Sequence, residues 1–264
     1  MFQQNISILF FIIVNVSASH KKSLRILYGD EFKPDEFPYV VTLKYYTIYV
    51  SCTGSILNEN WGVTAGHCRP NPQRNNTISI WHSSFRSIDM FSKIYPIVVE
   101  WKVHPAYRLF NLDEHPDLIV DNDISLFRIE PSLKLSRYAR LSSLDRGSLG
   151  GLPVVYIGGG KTNNTSSRRV EQFNMYTLKK GEGVIVACNK YMTTKSKHIL
   201  CISPKCDVYL QSPWHGDSGG PLIYNDQVVG VCSFGSIKGR IIQNAFVPIS
   251  PYINWISDVI QIKG

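Results

Sequence analysis

From Tyr39 onward the chain is a succession of short β-prone runs, each closed by Gly, Pro, Asn or Ser. "YVVTLKYYTIYV", "TISIW", "IYPIVVEWKV", "DISLFRI", "LPVVYIGG", "VEQFNMYTL" and "GPLIYNDQVVGVCSF" follow one another in this way. Their β-branched and aromatic side chains suit a pleated surface, and many alternate with polar residues. No internal repeat, low-complexity tract or series of βαβ units interrupts them. The pattern therefore predicts an all-β, antiparallel sandwich or barrel. One segment departs from it. In "SPYINWISDVIQI", Ser250 is a candidate N-cap and Pro251 occupies the first helical position. Tyr252, Ile256, Val259 and Ile260 then recur at helical spacing. This helix is expected to pack on the strands and to carry no chemistry.

A chain of 264 residues, 44% hydrophobic and 18% charged, can bury a large core, which argues against disorder. The formal net charge is +8; subtracting Lys21, Lys22 and Arg25, the only charges in the first 25 residues, leaves +5 on residues 26–264. No clustered Lys/Arg with interleaved aromatics accompanies that surplus, so a nucleic-acid partner is excluded. "ISILFFIIVNV", Ile6 to Val16, is apolar but short for a bilayer, and "VSA" after it offers small residues at a cleavage site. Residues 1–18 are therefore read as a signal peptide, although Met1 to Asn5 lacks the usual basic residue. No other stretch approaches the length of a membrane span. Cysteines at 52, 68, 188, 201, 206 and 232 suit an oxidising compartment, as do glycosylation sequons at Asn75, Asn163 and Asn164. The protein is expected to be secreted, extracellular and monomeric, without a membrane partner.

"HGDSGGP" carries the chemistry. A serine hydroxyl is a poor nucleophile: a base must take its proton, and donors must hold the oxyanion that forms. The glycines around Ser218 allow a tight turn in which the N–H groups of Gly216 and Ser218 converge. Of seven histidines, His67 in "WGVTAGHC" is set apart by context, and a Cys52–Cys68 bridge would pin the segment that carries it. His20, His82, His104, His115 and His198 are read as structural or exposed, and His215 as part of the rim. Asp123 in "DNDISLF", just before an apolar strand, can be buried to orient the imidazole, whereas Asp121 is read as solvated. The basic "SHKKSLR", ending at Arg25 before apolar Ile26, reads as a cleavable segment or as a plain surface linker.

"TAGHC", "NDISLF" and "GDSGGP", in this order, resemble the trypsin/chymotrypsin family of secreted serine peptidases. "CTGSIL", "VHPAY", "SFG" and the terminal helix extend the resemblance over residues 26–264. It implies two packed six-stranded antiparallel β-barrels with a C-terminal α-helix. It also assigns roles: Ser218 attacks, His67 is general base and then acid, Asp123 fixes the tautomer of His67, and Gly216 and Ser218 form the oxyanion hole. Residues 19–25 become an activation propeptide. Cleavage after Arg25 would free the amine of Ile26 to pair with Asp217, so the secreted form is expected to be a zymogen. Protein or peptide substrates and protein inhibitors are the implied partners. No cofactor and no metal are needed, and neither CxxC pairs nor HExxH occurs.

The specificity loop departs from the family. Cys188 and Cys201 keep the spacing of one family disulfide, but Trp214 stands where a cysteine is usual. The partner of that cysteine, beyond "SFG", is absent too. A relocated Cys206–Cys232 bridge is favoured over two free thiols. The position that carries an Asp in trypsin-like members is Ser212, and Asn244 falls where a small pocket-wall Gly is usual. With Ser233 and Gly235 as the other wall, the pocket reads as neutral, for apolar, aromatic or small side chains. Such a pocket would not cut after Arg25, which implies a separate trypsin-like activating protease. Gly66, Tyr28 and the Trp-less "IGGGKT" are milder departures. The alternative reading is a catalytically weak or inactive homologue that acts as a binding protein.

Overall fold

The computed structural model describes residues 26, 29–45, 49–71, 77–82, 95–111, 118–160, 178–196, 198–205, 211–213, 215–238 and 241–261. The signal and activation segments through Arg25, together with Tyr28, Asn75, His115, Asn163, Asn164, Cys206 and Trp214, lie outside them.

Among the described residues the first half of the chain forms β1 (Asp30–Glu31), β2 (Val40–Tyr45), β3 (Tyr49–Ile56), β4 (Trp61–Thr64), β5 (Ile78–His82) and β6 (Ile97–Val103). It continues through β7 (Arg108–Asn111), β8 (Leu118–Asp121) and β9 (Ser125–Glu130). The second half forms β10 (Pro153–Gly158), β11 (Lys179–Val186), α1 (Lys190–Lys195), β12 (Leu200–Pro204), β13 (Pro221–Tyr224), β14 (Gln227–Lys238), β15 (Ile241–Pro248) and α2 (Ile253–Gln261).

Strands β2-β3-β4-β9-β6-β5 close one antiparallel barrel. Strands β11-β10-β13-β14-β15-β12 close a second through the additional β11–β12 pairing, with β1 added outside β11. This is the expected all-β architecture of two six-stranded barrels. Closure leaves few free edges, which suits a chain built of short strands. Leu43, Val63, Ile80, Leu126 and Phe127 are buried in the core cluster of the first barrel; Val154, Tyr156, Leu200, Leu222 and Phe246 are buried in that of the second. Each such side chain contributes roughly 1.5–3 kcal/mol of hydrophobic stabilisation.

Strand β2 is buried on both faces because the second barrel covers its outer side. Thr42 there comes so close to Gly159 that a Cβ on that glycine would lie 2.1 Å from Thr42 Cγ2. The glycine in place of the family's Trp in "IGGGKT" is thus matched by Thr42.

Sequence and structure differ in two elements, and a third expectation falls on residues that are not described. "KKGEGVIV" forms β11, although two glycines and two lysines argue against a strand. Its Gly181 is needed where the Tyr156 ring crosses, since a Cβ would lie 2.5 Å from that ring. "VEQFNMYTL", read as a strand, lies outside the described residues except for Leu178. Ser250 does not cap the terminal helix: Ser250–Tyr252 is a 3-10 turn without a side-chain cap, and it leads into α2. Tyr252 and Ile256 are buried from this segment in the first barrel's core cluster, and Tyr252 and Trp255 both pack edge-on to His104.

Candidate active site

His67 lies on a 3-10 turn, Gly66–Cys68, immediately after β4. The Cys52–Cys68 disulfide (Cα–Cα 6.0 Å) ties this turn to β3. Asp123 precedes β9 and follows a turn in which Asn122 has φ +50°, a left-handed conformation that Asn tolerates. That turn is held from two sides: Asn122 Nδ2 donates to the Ala106 carbonyl (2.9 Å) and Tyr252 Oη donates to Asn122 Oδ1 (2.9 Å). The terminal segment, expected to carry no chemistry, therefore braces the residue next to Asp123.

The turn brings Asp123 beneath His67. Asp123 Oδ2 lies 2.8 Å from His67 Nδ1, and Oδ1 accepts the His67 backbone N–H at 2.8 Å. Asp123 is 1% exposed, while His67 keeps 30% of its side chain in solvent. Burial alone would lower the pKa of His67, but the hydrogen bond and charge of Asp123 outweigh it and hold the imidazole above its ordinary value. Asp123 itself is penalised by burial, yet His67 and the hydroxyl of Ser233 keep it below the usual carboxylate range.

Ser233 reaches Asp123 because of a bulge. On the β14–β15 ladder Cys232 faces Phe246 and Phe234 faces Ala245, so Ser233 is the extra residue. A bulge re-aims a side chain, and here Ser233 Oγ donates to Asp123 Oδ2. Asp121, expected to be solvated, instead accepts the Ser196 hydroxyl at 3.1 Å and is half-buried.

The serine turn is clamped by both barrels. Thr53 of β3 donates its backbone N–H to the Ser218 carbonyl (2.8 Å) and its hydroxyl to the Gly216 carbonyl (2.9 Å), while accepting the Gly159 N–H (3.0 Å). From β14, the Cys232 carbonyl accepts the Gly219 N–H at 2.7 Å. Gly216 and Gly219 have φ of +96° and +82°, and a Cβ on Gly219 would stand 1.9 Å from Thr64 Oγ1. With both carbonyl positions fixed this way, the N–H groups of Gly216 and Ser218 have no intramolecular acceptor among the described residues. Ser218 Oγ is likewise without a hydrogen bond among them.

Asp217 is 1% exposed, and its Oδ1 accepts the Gly160 N–H at 2.8 Å. Ile26 is fully buried in the second barrel's core beside Leu149 and Tyr156, with φ +34°. Ser212 and Asn244, 2% and 1% exposed, meet through Ser212 Oγ donating to Asn244 Oδ1 at 3.2 Å. Asn244 stands opposite Gly235 on β14.

Cys188 and Cys201 are disulfide-bonded (Cα–Cα 5.2 Å). The expected Cys206–Cys232 bridge is not formed. Cys232 carries a free thiol buried in the core cluster that holds Leu222 and Phe246. Burial pushes that thiol's pKa far up, and the charges of Asp217 and Asp123 add to the shift. The Tyr107 ring fills the space beside Gly66, 3.0 Å from where a Cβ on that glycine would stand. His82 is buried and bonded to the Pro38 carbonyl, and His215 is exposed.

Cys52, His67 and Cys68 place donor atoms within 4.8 Å of one another, but both sulfurs are spent in the disulfide, so they are no metal donor set. A separate cavity of about 670 Å³, lined in part by Glu36, Arg137, Val155, Glu182 and Tyr224, includes none of the site residues. Among the described residues no helix is long and apolar enough to cross a membrane.

Sequence reasoning missed Thr53, Asn122, Tyr107 and Tyr252. "CTGSIL" contains the first and "DNDIS" the second, but nothing local indicates what their side chains hold.

Comparison with known proteins places this geometry in a family. The trypsin family profile matches residues 26–256. Chymotrypsin of Phaedon cochleariae is 29% identical over 89% of this chain and 82% of its own length. Chymotrypsin-like elastase family member 1 of Homo sapiens is 27% identical over 89% and 92%, and granzyme B(G,H) of Mus musculus 25% over 96% and 98%. Among solved structures, neuropsin, a serine protease expressed in the limbic system of mouse brain, superposes with a TM-score of 0.65 at 22% identity over 88% of this chain and 98% of its own. The chain belongs to the trypsin family and is a serine-type endopeptidase.

Proposed function

We propose that the protein is a secreted endopeptidase made as a zymogen, with Ser218, His67 and Asp123 as its catalytic residues. The observation that carries this reading is the buried Asp123 carboxylate bonded to His67 Nδ1, beside a serine turn whose Gly216 and Ser218 N–H groups are unengaged. Asp123 holds the tautomer in which Nδ1 bears the proton, leaving Nε2 as the base. His67 takes the Ser218 proton as Oγ bonds to the scissile carbonyl carbon. The carbonyl oxygen becomes an oxyanion that accepts the two free N–H groups. His67 then gives the proton to the leaving amine as the C–N bond breaks, forming an acyl-enzyme. Water, deprotonated by His67, releases the acid and restores Ser218.

Activation rests on cleavage after Arg25. Ile26 buries its side chain at a positive φ, a strained state for a β-branched residue. Breaking the preceding peptide bond relieves that strain and yields an α-amine able to pair with buried Asp217. Secretion rests on the apolar leader, and the sequons at Asn75, Asn163 and Asn164 are its glycosylation sites. Ser212 puts no charge in the pocket, so a separate trypsin-like protease makes the Arg25 cut.

The test is labelling by a fluorophosphonate before and after cleavage at Arg25, with Ser218→Ala as control. The expected result is labelling only after cleavage and only with Ser218 present. No labelling despite a verified Ile26 terminus would favour a binding homologue. Zymogen that processes itself at Arg25, while Ser218→Ala stays intact, would overturn the neutral pocket.

A further inference from the structure

The residues assigned above to the neutral pocket hold an unmet polar demand. Asn244 sits on β15 opposite Gly235 of β14 and, on its other side, opposite Ile202 of β12. Gly235 is two residues beyond Ser233, the donor to Asp123, which places the Asn244 pair about 7 Å along the strand from Ser233. Ser212, six residues before Ser218, closes the other side through its bond to Asn244 Oδ1 (3.2 Å). A Cβ on Gly235 would lie 2.8 Å from that same oxygen, so the amide occupies the space a larger residue at 235 would take.

Asn244 is 1% exposed, and its Nδ2 has neither solvent nor, among the described residues, a hydrogen-bond partner. A buried amide nitrogen without an acceptor is destabilising, and such groups in native structures mark functional demands. An apolar side chain entering beside it leaves the donor buried and unpaired. A carboxylate could accept from Nδ2, but Ser212 and Asn244 are neutral, and desolvating an unpaired charge is costly. A lysine or arginine brings donors only and leaves Nδ2 unmet. A carboxamide answers every group: its oxygen accepts from Nδ2, and its NH₂ can donate to Ser212 Oγ or to the second lone pair of Asn244 Oδ1.

We propose that Asn244, with Ser212, makes this peptidase selective for a carboxamide side chain, Gln or Asn, on the acyl side of the scissile bond. The proposal rests on the peptidase reading above and narrows its neutral pocket to one chemical class.

The experiment uses the full chain cleaved at Arg25, with fluorophosphonate labelling of Ser218 measured on the same preparation. Peptides identical except at that one position carry Gln, Asn, Leu, Met, Phe, Ala, Glu, Asp or Lys. The better amide is expected to exceed its near-isosteres by about tenfold or more in kcat/KM, the scale set by an unpaired buried polar group. Asn244→Ala is expected to lose that preference and to turn towards Leu, Met or Phe. Normal labelling with Leu, Phe, Glu or Lys equal to or better than both amides overturns the proposal and leaves the peptidase reading standing. Absence of both labelling and cleavage overturns the two together. The wild-type panel decides the matter even if Asn244→Ala does not fold.

Discussion

Ser233 donates its hydroxyl to the same Asp123 oxygen, Oδ2, that faces His67 Nδ1 at 2.8 Å. The contact exists because one residue is bulged out of the β14–β15 ladder. Ser233 is therefore a positioning residue, and it helps keep the carboxylate ionised. In Ser233→Ala the carboxylate loses that donor, and more of its charge acts on the imidazolium. The expected result is a fall of about tenfold in kcat/KM, the kinetic equivalent of roughly 1.5 kcal/mol for one charged hydrogen bond. The acid limb of the pH profile should move to higher pH, and Ser233→Thr should recover most of the activity. A loss of stability with an unmoved acid limb would reduce Ser233 to a packing role.

The raised pKa of His67 sets the pH response. The proposed mechanism needs the neutral imidazole, so activity is expected to fall as pH drops through a value above about 6.5, the ordinary histidine pKa. The stability contribution has the opposite sense. A histidine with a raised folded-state pKa stabilises fully below its unfolded value and loses that contribution as pH rises through the folded one. Asp123, with a lowered pKa, contributes above its unfolded value and loses this as pH falls through the folded one. A kcat/KM profile measured against pH should therefore have its acid midpoint above 6.5. A midpoint below that value would contradict the His67–Asp123 geometry.

The residues proposed to do the chemistry could be singled out in the sequence because each sits in an unusual local string. Ser218 needs glycines beside it, His67 sits on a turn fixed by an adjacent cysteine, and Asp123 needs a buried strand start. What holds those residues was not legible, because its cause lies far along the chain. Thr53 meets Gly216 across 163 positions, and Tyr252 meets Asn122 across 130. Ser233 reaches Asp123 only through a register shift, which composition does not reveal. Strand β11 was hidden for the opposite reason: its glycines answer a neighbouring Tyr156 ring and not a local turn. The thiol of Cys232 followed from neither spacing nor elimination, since the direction in which β14 points that side chain decided the matter.

Thr53 spends its hydroxyl twice, as donor to the Gly216 carbonyl and as acceptor for the Gly159 N–H. Valine keeps the branched shape but leaves both backbone groups unmet. Thr53→Val should cost about 1–3 kcal/mol of stability. It should also lower kcat more than it raises KM, because the peptide carrying the proposed oxyanion donor of Gly216 loses its anchor. Urea unfolding followed at an unchanged m value, with steady-state kinetics alongside, measures both effects. Thr53→Ser should restore most of each. A stability loss with unaltered kcat would mean that β13 and β14 alone hold the turn.

Cys232 is 5% exposed, uncrosslinked, and has its thiol pKa pushed far up by burial and by the charges of Asp217 and Asp123. The thiolate is the reactive form, so two separate barriers protect this sulfur: access and protonation. Native protein treated with iodoacetamide should leave the Cys232 peptide unmodified. The same treatment in denaturant, without reductant, should alkylate it completely, while Cys52, Cys68, Cys188 and Cys201 remain protected in their disulfides. Peptide mapping by mass spectrometry reads all five positions at once. A Cys232 peptide that stays unmodified in denaturant and appears crosslinked to the Cys206 peptide would reinstate the relocated bridge and require β14 to turn that side chain outward. Alkylation under native conditions would instead mean that the second barrel opens readily around Leu222 and Phe246, which its closed strand order argues against.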